Sequence, residues 1–491
     1  MQASEILRVM DIGNSVAEFD HHLQVYFLET QIYLDFVNGK YDIISGDKGT
    51  GKTAIYKIIK ERYREIPQLN TVELIAGFND TGNPIFQRLS EVEALTEGQY
   101  STVWKTYFLS LIGNFLLDVC EGEYTENMQK LDRVLESLDL RTADPNAGTV
   151  FSQLSNLIRR LMQLKSAEVT FSVTEAGMPV IIPKLQFGDI TQHEVSGIKI
   201  IYNEEALELL NKAIADLEIT IWVVLDRLDE AFVGFPQIET PVLRALFRTY
   251  LDLQIYEMLK LKLFVRNDLF RKVVQGGFVN LTHINAMRVQ LSWNPDDLFS
   301  LLMRRIQQKR EFMEYIDIEN KTSEMNLFSR LFPDQVDVGE KKPKTWNWMM
   351  SRIRDGNNIM PPRNLIDLVN KSREAQARRE ERAPREFSRN IPLIEGDSIR
   401  KGLDALSSQR VEDTLLAESG EYALYIEKFR NSKAEHNYDT LSSTLQAPED
   451  EVSRIIKELK LLGFLEPVGD TYKIPMLFRS GLNITQGKAF A

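Results

Sequence analysis

The sequence predicts an α/β chain: a parallel sheet covered by helices on both faces, followed by a helical region and a small winged tail. Three observations carry this reading. A β-type run at 41–45 leads into the glycine-rich stretch Gly46-Asp47-Lys48-Gly49-Thr50-Gly51-Lys52-Thr53, and then into the helical pattern AIYKIIKERYRE. A near-continuous apolar run at 219–225 ends in Asp226-Arg227-Leu228-Asp229-Glu230, as a strand buried on both faces would. Residues 413–482 read as helix, turn, helix and two short strands.

Composition bounds the possibilities. The 491 residues suggest two to four domains. Hydrophobic residues at 43% and charged residues at 26% are ordinary for a globular protein. No apolar run approaches the roughly 18 residues that a membrane-spanning helix needs. The start, MQASEILRVMDIGNS, lacks a basic stretch followed by an apolar core, so no signal peptide is expected. A single cysteine, Cys120, excludes an internal disulfide and fits a cytoplasmic protein. Five histidines and one cysteine leave few ligands for a structural zinc.

The net charge of −12 argues against a chain coated in nucleic acid. The charge is uneven, however. Residues 341–390 hold 13 Lys and Arg against 6 Asp and Glu, so this window is +7 and the rest of the chain −19. The window reads either as a solvated helix and linker or as a basic face for phosphates or an acidic partner.

Strand, glycine-rich loop and helix at 41–64 form the context of a phosphate-binding P-loop. Gly46, Gly49 and Gly51 permit a tight turn that points backbone N–H groups inward. Those donors, from Asp47, Lys48 and Thr50 as well, would hold phosphates together with the helix N-terminus. Lys52 can reach the β- and γ-phosphates, and Thr53 can place its hydroxyl on Mg²⁺. The motif therefore predicts a nucleoside triphosphate, ATP with Mg²⁺, as the ligand.

Such a loop needs an acid at the end of a buried strand. Asp226 is the expected Mg²⁺-side carboxylate. A second carboxylate should polarise the attacking water. Arg227 occupies the place directly after Asp226, so the catalytic base is either Asp229 or Glu230. Lys52 joins them as the catalytic cation.

Asp226 lies too far after Thr53 for a single crossover, so a strand and an insertion must intervene. Residues 71–77 supply the strand. Residues 90–215 read as an inserted helical subdomain, with an apolar-faced helix at 100–120 and a hairpin formed by 169–173 and 180–186 around Gly177. Further strands fit 260–265 and 286–291. Arg266 and Asn267, at the tip of the first of these, are candidates to sense the γ-phosphate. The result is a five-stranded parallel sheet with an additional strand between the loop strand and the acid strand. This is the ASCE arrangement of P-loop NTPases.

Trp293-Asn294-Pro295-Asp296-Asp297 caps a following helix that carries Arg304 and Arg305. Met360-Pro361-Pro362-Arg363 opens another, and the prolines fix where Arg363 points. An arginine there can close a lid on the γ-phosphate. Residues 375–390, AQARREERAPREFSRN, read as a helix end and a linker. In the tail, a helix at 440–445, a turn at Pro448, a helix at 449–462 ended by Gly463 and two strands around Gly469 make a winged helix-turn-helix. Its second helix carries Glu449, Asp450, Glu451 and Glu458 against Arg454, Lys457 and Lys460, a poor surface for nucleic acid. The expected domains are 1–89 with 216–295 (ATPase core), 90–215 (insert), 296–375 (lid), 376–412 (linker) and 413–491 (winged helix).

These residues resemble bacterial P-loop ATPases of the AAA+/STAND group, relatives of the KAP and origin-recognition-type ATPases that end in a winged helix. The likeness rests on the loop at 46–53, DRLDE at 226–230, LKLFVRND at 261–268, PPRNL at 361–365 and the winged tail; the 90–215 insert lies outside it. The resemblance implies a nucleotide-gated switch, with Arg363 as its second sensor arginine, and several such proteins resemble components of anti-phage defence. A homo-oligomer or an effector-protein partner is expected; on a further reading the chain binds ATP without turnover and uses it to assemble a ring, with Arg244, Arg248 or Arg304 reaching a neighbouring site as an arginine finger. The departure is Arg227, where many relatives carry the catalytic acid. An ATP-regulated DNA-binding protein that uses the winged helix is the alternative.

Overall fold

The computed structural model describes residues 2–78, 95–163, 172–173, 179–180, 203–230, 236–316, 323–388 and 390–490. Their contacts group them into two compact units.

One unit comprises 31–46 and 52–291. Its centre is a sheet of β1 (Ile43–Gly46), β2 (Val72–Ala76), β3 (Thr220–Leu225), β4 (Leu259–Arg266) and β5 (Arg288–Gln290). The spatial order is β2-β3-β4-β1-β5, and every pairing is parallel. An additional strand separates the loop strand from the acid strand, as expected; it is β4, and β2, from 71–77, lies at the sheet edge. A near-continuous apolar run forms β3 because both faces are covered: Ile221 to Leu225 are all buried. Gly46 and Arg266 end neighbouring strands at the same level.

The insert at 90–215 is largely helical where it is described. Its helices Glu97–Val119, Glu126–Ser137, Ala147–Gln163 and Asn203–Ala215 share one continuous apolar core with the sheet. Trp104 shows the join, donating its indole N–H to the Val242 carbonyl at 3.0 Å. Apolar residues recur around most of the 97–119 helix, so it buries several faces at once. Of the expected hairpin, Ser172–Val173 pairs antiparallel with Pro179–Val180; 169–171, Gly177 and 181–186 lie outside the described residues.

The other unit comprises 1–30, 47–51 and 292–491. Its helices Pro295–Gln307, Thr345–Ile353, Pro362–Arg382 and Gly396–Arg410 share one core with the winged tail. Of the 376–412 stretch expected as linker, the start belongs to the helix Pro362–Arg382 and a later part to Gly396–Arg410. Charged residues of the stretch pair among themselves, which composition alone does not show. Arg385 bonds Glu380 at 2.6 Å, Arg379 bonds Glu395 at 2.9 Å, and Gln376 and Glu380 are buried. Part of the basic window is paired in the same way, with Arg354 on Glu466 at 3.0 Å and Arg352 facing Asp337 at 3.8 Å.

The tail has helices Tyr438–Leu445 and Glu449–Leu461, closed by Gly463 at φ +71°. Its sheet contains β6 (Lys433–His436), β7 (Glu466–Val468), β8 (Thr471–Lys473) and β9 (Thr485–Lys488), in the order β9-β6-β8-β7. The hairpin of β7 and β8 is the expected wing. No helix among the described residues is long and apolar enough to cross a membrane.

Candidate nucleotide-binding site

On the sheet, β1 delivers Gly46 at its end, and the helix Lys52–Arg62 starts at Lys52. The Lys52 ammonium donates to the Gly46 carbonyl at 2.9 Å, so the loop folds back on its own cation. Asp226 follows the last residue of β3 and is 7% exposed. Burial pushes its carboxyl from 3.8 up to about 6, against the opposing pull of the Thr53 hydroxyl, the Arg227 backbone N–H and the Lys52 charge. The chain therefore brings Lys52, Thr53 and Asp226 together.

One oxygen of Asp226, Oδ2, is buried with no hydrogen-bond partner among the described residues. A buried carboxylate oxygen left without a donor needs an explanation, and a cation is one. Hard oxygen ligands from a carboxylate and a hydroxyl suit Mg²⁺, so the donor set of Asp226 and Thr53 fits that ion.

The two candidate bases are each held by an arginine. Arg227 adopts φ +57°, a left-handed conformation that turns the chain out of the strand. Its guanidinium faces Glu230 at 3.5 Å. Arg266, from the tip of β4, bonds Asp229 at 3.1 Å and Asp268 at 3.0 Å. Two residues singled out separately in the sequence, Asp229 and Arg266, are thus one ion pair. Asn267 begins the next helix, Asn267–Val274.

The middle of the loop groups with the second unit. Gly49 and Gly51 have φ of +78° and +105°, where a side chain would be strained. Gly46 is extended strand instead, so its place does not rest on that freedom. A Cβ at Gly49 would also lie 3.0 Å from the Cβ of Arg363. Arg363 is the second residue of Pro362–Arg382, capped by Pro361. Its Nε is buried and lacks an acceptor among the described residues. An unsatisfied guanidinium donor beside a phosphate loop is an anion-seeking group.

Three partners of the loop escape a reading of the sequence. Trp293 donates its indole N–H to the Thr50 carbonyl at 2.7 Å. Lys48 pairs with Glu418. Asp355 is pushed up to about 6 by burial, with a smaller contribution from the Asp47 charge. All three partners lie hundreds of residues away, and no local pattern marks them.

The arginine-finger candidates are committed within their own units. Arg244 bonds Glu97 at 3.2 Å and the carbonyls of Val273 and Gly277 at 2.9 and 2.8 Å. Arg248 bonds Glu97 at 2.5 Å. Arg304 donates to the Phe27 carbonyl at 3.0 Å.

The sheet order and the glycine loop define a P-loop NTPase fold of the ASCE arrangement. No family model matches the chain, and no curated protein does. Among solved structures, it is similar to the Aeropyrum pernix ORC1 protein in complex with DNA, at 12% identity and TM-score 0.38, over 96% of each chain. It is also similar to a Walker-type ATPase of Pyrococcus abyssi, at 11% identity and TM-score 0.37, over 93% of this chain and 96% of that one. The Aeropyrum pernix ORC2 protein in its ADPNP–ADP complexes gives 12% and 0.38, over 92% and 91%. Likeness at this level defines neither activity nor partner.

Proposed function

We propose that this chain binds ATP with Mg²⁺ through residues 46–53 and hydrolyses it as a molecular switch that controls a partner or its own assembly. The observation that carries the reading is the convergence of Lys52, Thr53 and a buried Asp226 oxygen with no partner of its own. Lys52 would exchange the Gly46 carbonyl for the β- and γ-phosphates. The amides of Asp47, Lys48, Gly49 and Gly51 and the helix start at Lys52 would cradle the remaining phosphate charge, whereas the Thr50 amide donates to the Asp47 carbonyl at 3.3 Å. Thr53 and Asp226 would hold Mg²⁺, which when bound supplies charge neutralisation on the phosphate oxygens.

Asp229 or Glu230 would orient the attacking water. Glu230 is the better base, because its arginine partner is 3.5 Å away, whereas Asp229 is tied to Arg266 at 3.1 Å. Arg266 and Asn267, at the end of β4, are the γ-phosphate sensors on this reading. Arg363, packed on Gly49, is the lid residue that the phosphates would draw in.

The switch reading is preferred over a DNA-binding regulator. The second helix of the winged tail opens with Glu449, Asp450 and Glu451, which would oppose a phosphate backbone.

Isothermal titration of ATP tests the site. The wild type should bind one ATP per chain, and Lys52→Ala should weaken binding by about 100-fold or more. Unchanged affinity in that variant removes the assignment. In turnover assays Glu230→Gln should bind ATP and fail to hydrolyse it; normal turnover there, with loss in Asp229→Asn, would move the base to Asp229.

A further inference from the structure

A phosphate loop works only if its peptide N–H groups point into the cradle, and something must hold them there. In this chain the peptide between Thr50 and Gly51 has an identifiable holder. A trans peptide is planar, and its C=O and N–H point in opposite directions. Anchoring the oxygen therefore fixes the direction of the hydrogen. The Thr50 carbonyl accepts from the Trp293 indole N–H at 2.7 Å. The same residue is tied at its other end, where its hydroxyl and its amide donate to the Asp47 carbonyl at 2.8 and 3.3 Å.

We propose that Trp293 is the positioning residue of the loop: by holding the Thr50 carbonyl it aims the Gly51 amide at the phosphates of the bound nucleotide. This rests on the nucleotide-binding reading above.

The donor is rigid. Asn294, the next residue, caps the helix Pro295–Gln307, accepting the Asp297 amide at 2.7 Å and donating to the Asp297 carboxylate at 2.9 Å. Pro295 stands at the first helical position. The Trp293 ring packs against the apolar core of its unit. Tryptophan is a donor only, so it pairs with an acceptor such as this carbonyl.

The acceptor has no easy substitute. Thr50 is 1% exposed, so its carbonyl without Trp293 would be left unsatisfied or would rotate in search of water. Gly51, at φ +105°, imposes no side-chain barrier on that rotation. Rotation would carry the Gly51 N–H out of the cradle.

Trp293→Phe keeps an aromatic ring and removes the indole N–H together with the five-membered ring that carries it. Affinity for ADP and for ATP should fall together by about 10-fold, the worth of one preorganised donor. The hydrolysis rate at saturating ATP should stay within about twofold, because the loss is uniform binding. Equal affinity for wild type and variant overturns the proposal.

A spectroscopic readout separates positioning from general loosening. In protein labelled with ¹⁵N-glycine and ¹⁵N-tryptophan, Mg·ADP should move one glycine amide strongly downfield in the wild type and not in Trp293→Phe. If the variant does not fold, the wild type still decides. The Trp293 indole N–H should resist solvent exchange with and without ADP, and rapid exchange in either state overturns the proposal. Lys52→Ala is titrated alongside. If it loses ADP while Trp293→Phe keeps full affinity, the site stands and the positioning role falls. If Lys52→Ala binds normally, the site itself falls, and the positioning role with it.

Discussion

Two aspartates are buried in the same five-stranded sheet, and they are held in opposite ways. Asp42 lies just before β1 and is 2% exposed. Lys262 meets it at 2.8 Å, the Tyr250 hydroxyl at 3.0 Å and the Gln254 amide at 3.3 Å. The Lys262 ammonium also sits 4.1 Å from the Trp222 ring centroid and 4.9 Å from that of Phe36. Both oxygens of Asp42 have donors. Asp226 lies just after β3, at the other end of the parallel strands, and its Oδ2 has none among the described residues. Burial raises its carboxyl to about 6, the signature of an acid whose charge is not fully compensated by the protein. A closed buried charge belongs to the fold. An open one, beside Thr53 and Lys52, is the group that the proposed cation would engage.

The comparison breaks most visibly at Lys262. Lys262→Ala leaves Asp42 buried and unpaired, and should cost about 3–5 kcal/mol in urea denaturation. A loss below about 1 kcal/mol would mean that Asp42 is no more closed than Asp226.

Asp226→Asn should behave in the opposite sense. The folded carboxyl ionises near 6 against 3.8 for the free group. The fold therefore binds that proton more tightly than the unfolded chain does. The stabilisation is complete below about pH 4 and is lost as pH rises through 6, leaving an ionised carboxylate at a cost. Without metal or nucleotide, Asp226→Asn should equal or exceed the wild type in stability above pH 7, by at most about 3 kcal/mol. The two should converge below about pH 4. A variant less stable than wild type at pH 8 would make Asp226 structural.

Arg363→Ala tests the second open group, the buried guanidinium on Gly49. ATP affinity should fall by about 10-fold. Arg363→Lys should not restore it fully, because a point charge lacks the planar fork. Equal affinity in the alanine variant would show that Arg363 only packs on the loop.

The smallest effect is expected at Arg248. Its bond to Glu97 is half-exposed, so Arg248→Ala should change stability by under about 1 kcal/mol. Hydrolysis should be unchanged. A large loss of turnover with intact folding would restore Arg248 as an arginine finger.

What could be read from the sequence was local. The strand, loop and helix around 41–62 are contiguous, so the motif at 46–53 is legible within a few residues. The apolar run of β3 and the alternating helices of the tail are likewise patterns within a few residues. What could not be read depends on chain folding back on itself. Arg244 and Arg248 look like free cations until Glu97, nearly 150 residues earlier, closes on both. The 375–390 segment looks like solvated linker until Arg385 meets Glu380 and Arg379 meets Glu395. Asp229 and Arg266 read as two separate roles, and their pairing needs β3 and β4 to be neighbours. The strands β6 and β9 of the tail are short and polar, so their pairing carries no apolar alternation to announce it.

The central claim is that Asp226 is held open for the cation of a bound nucleotide. The direct measurement is ATP affinity with and without Mg²⁺, by isothermal titration, in the wild type and in Asp226→Asn. The wild type should bind ATP more tightly with Mg²⁺ than with a chelator. In Asp226→Asn that difference should vanish, while the Mg²⁺-free affinity, set by Lys52 and the loop amides, persists. An undiminished Mg²⁺ effect in Asp226→Asn would contradict the account.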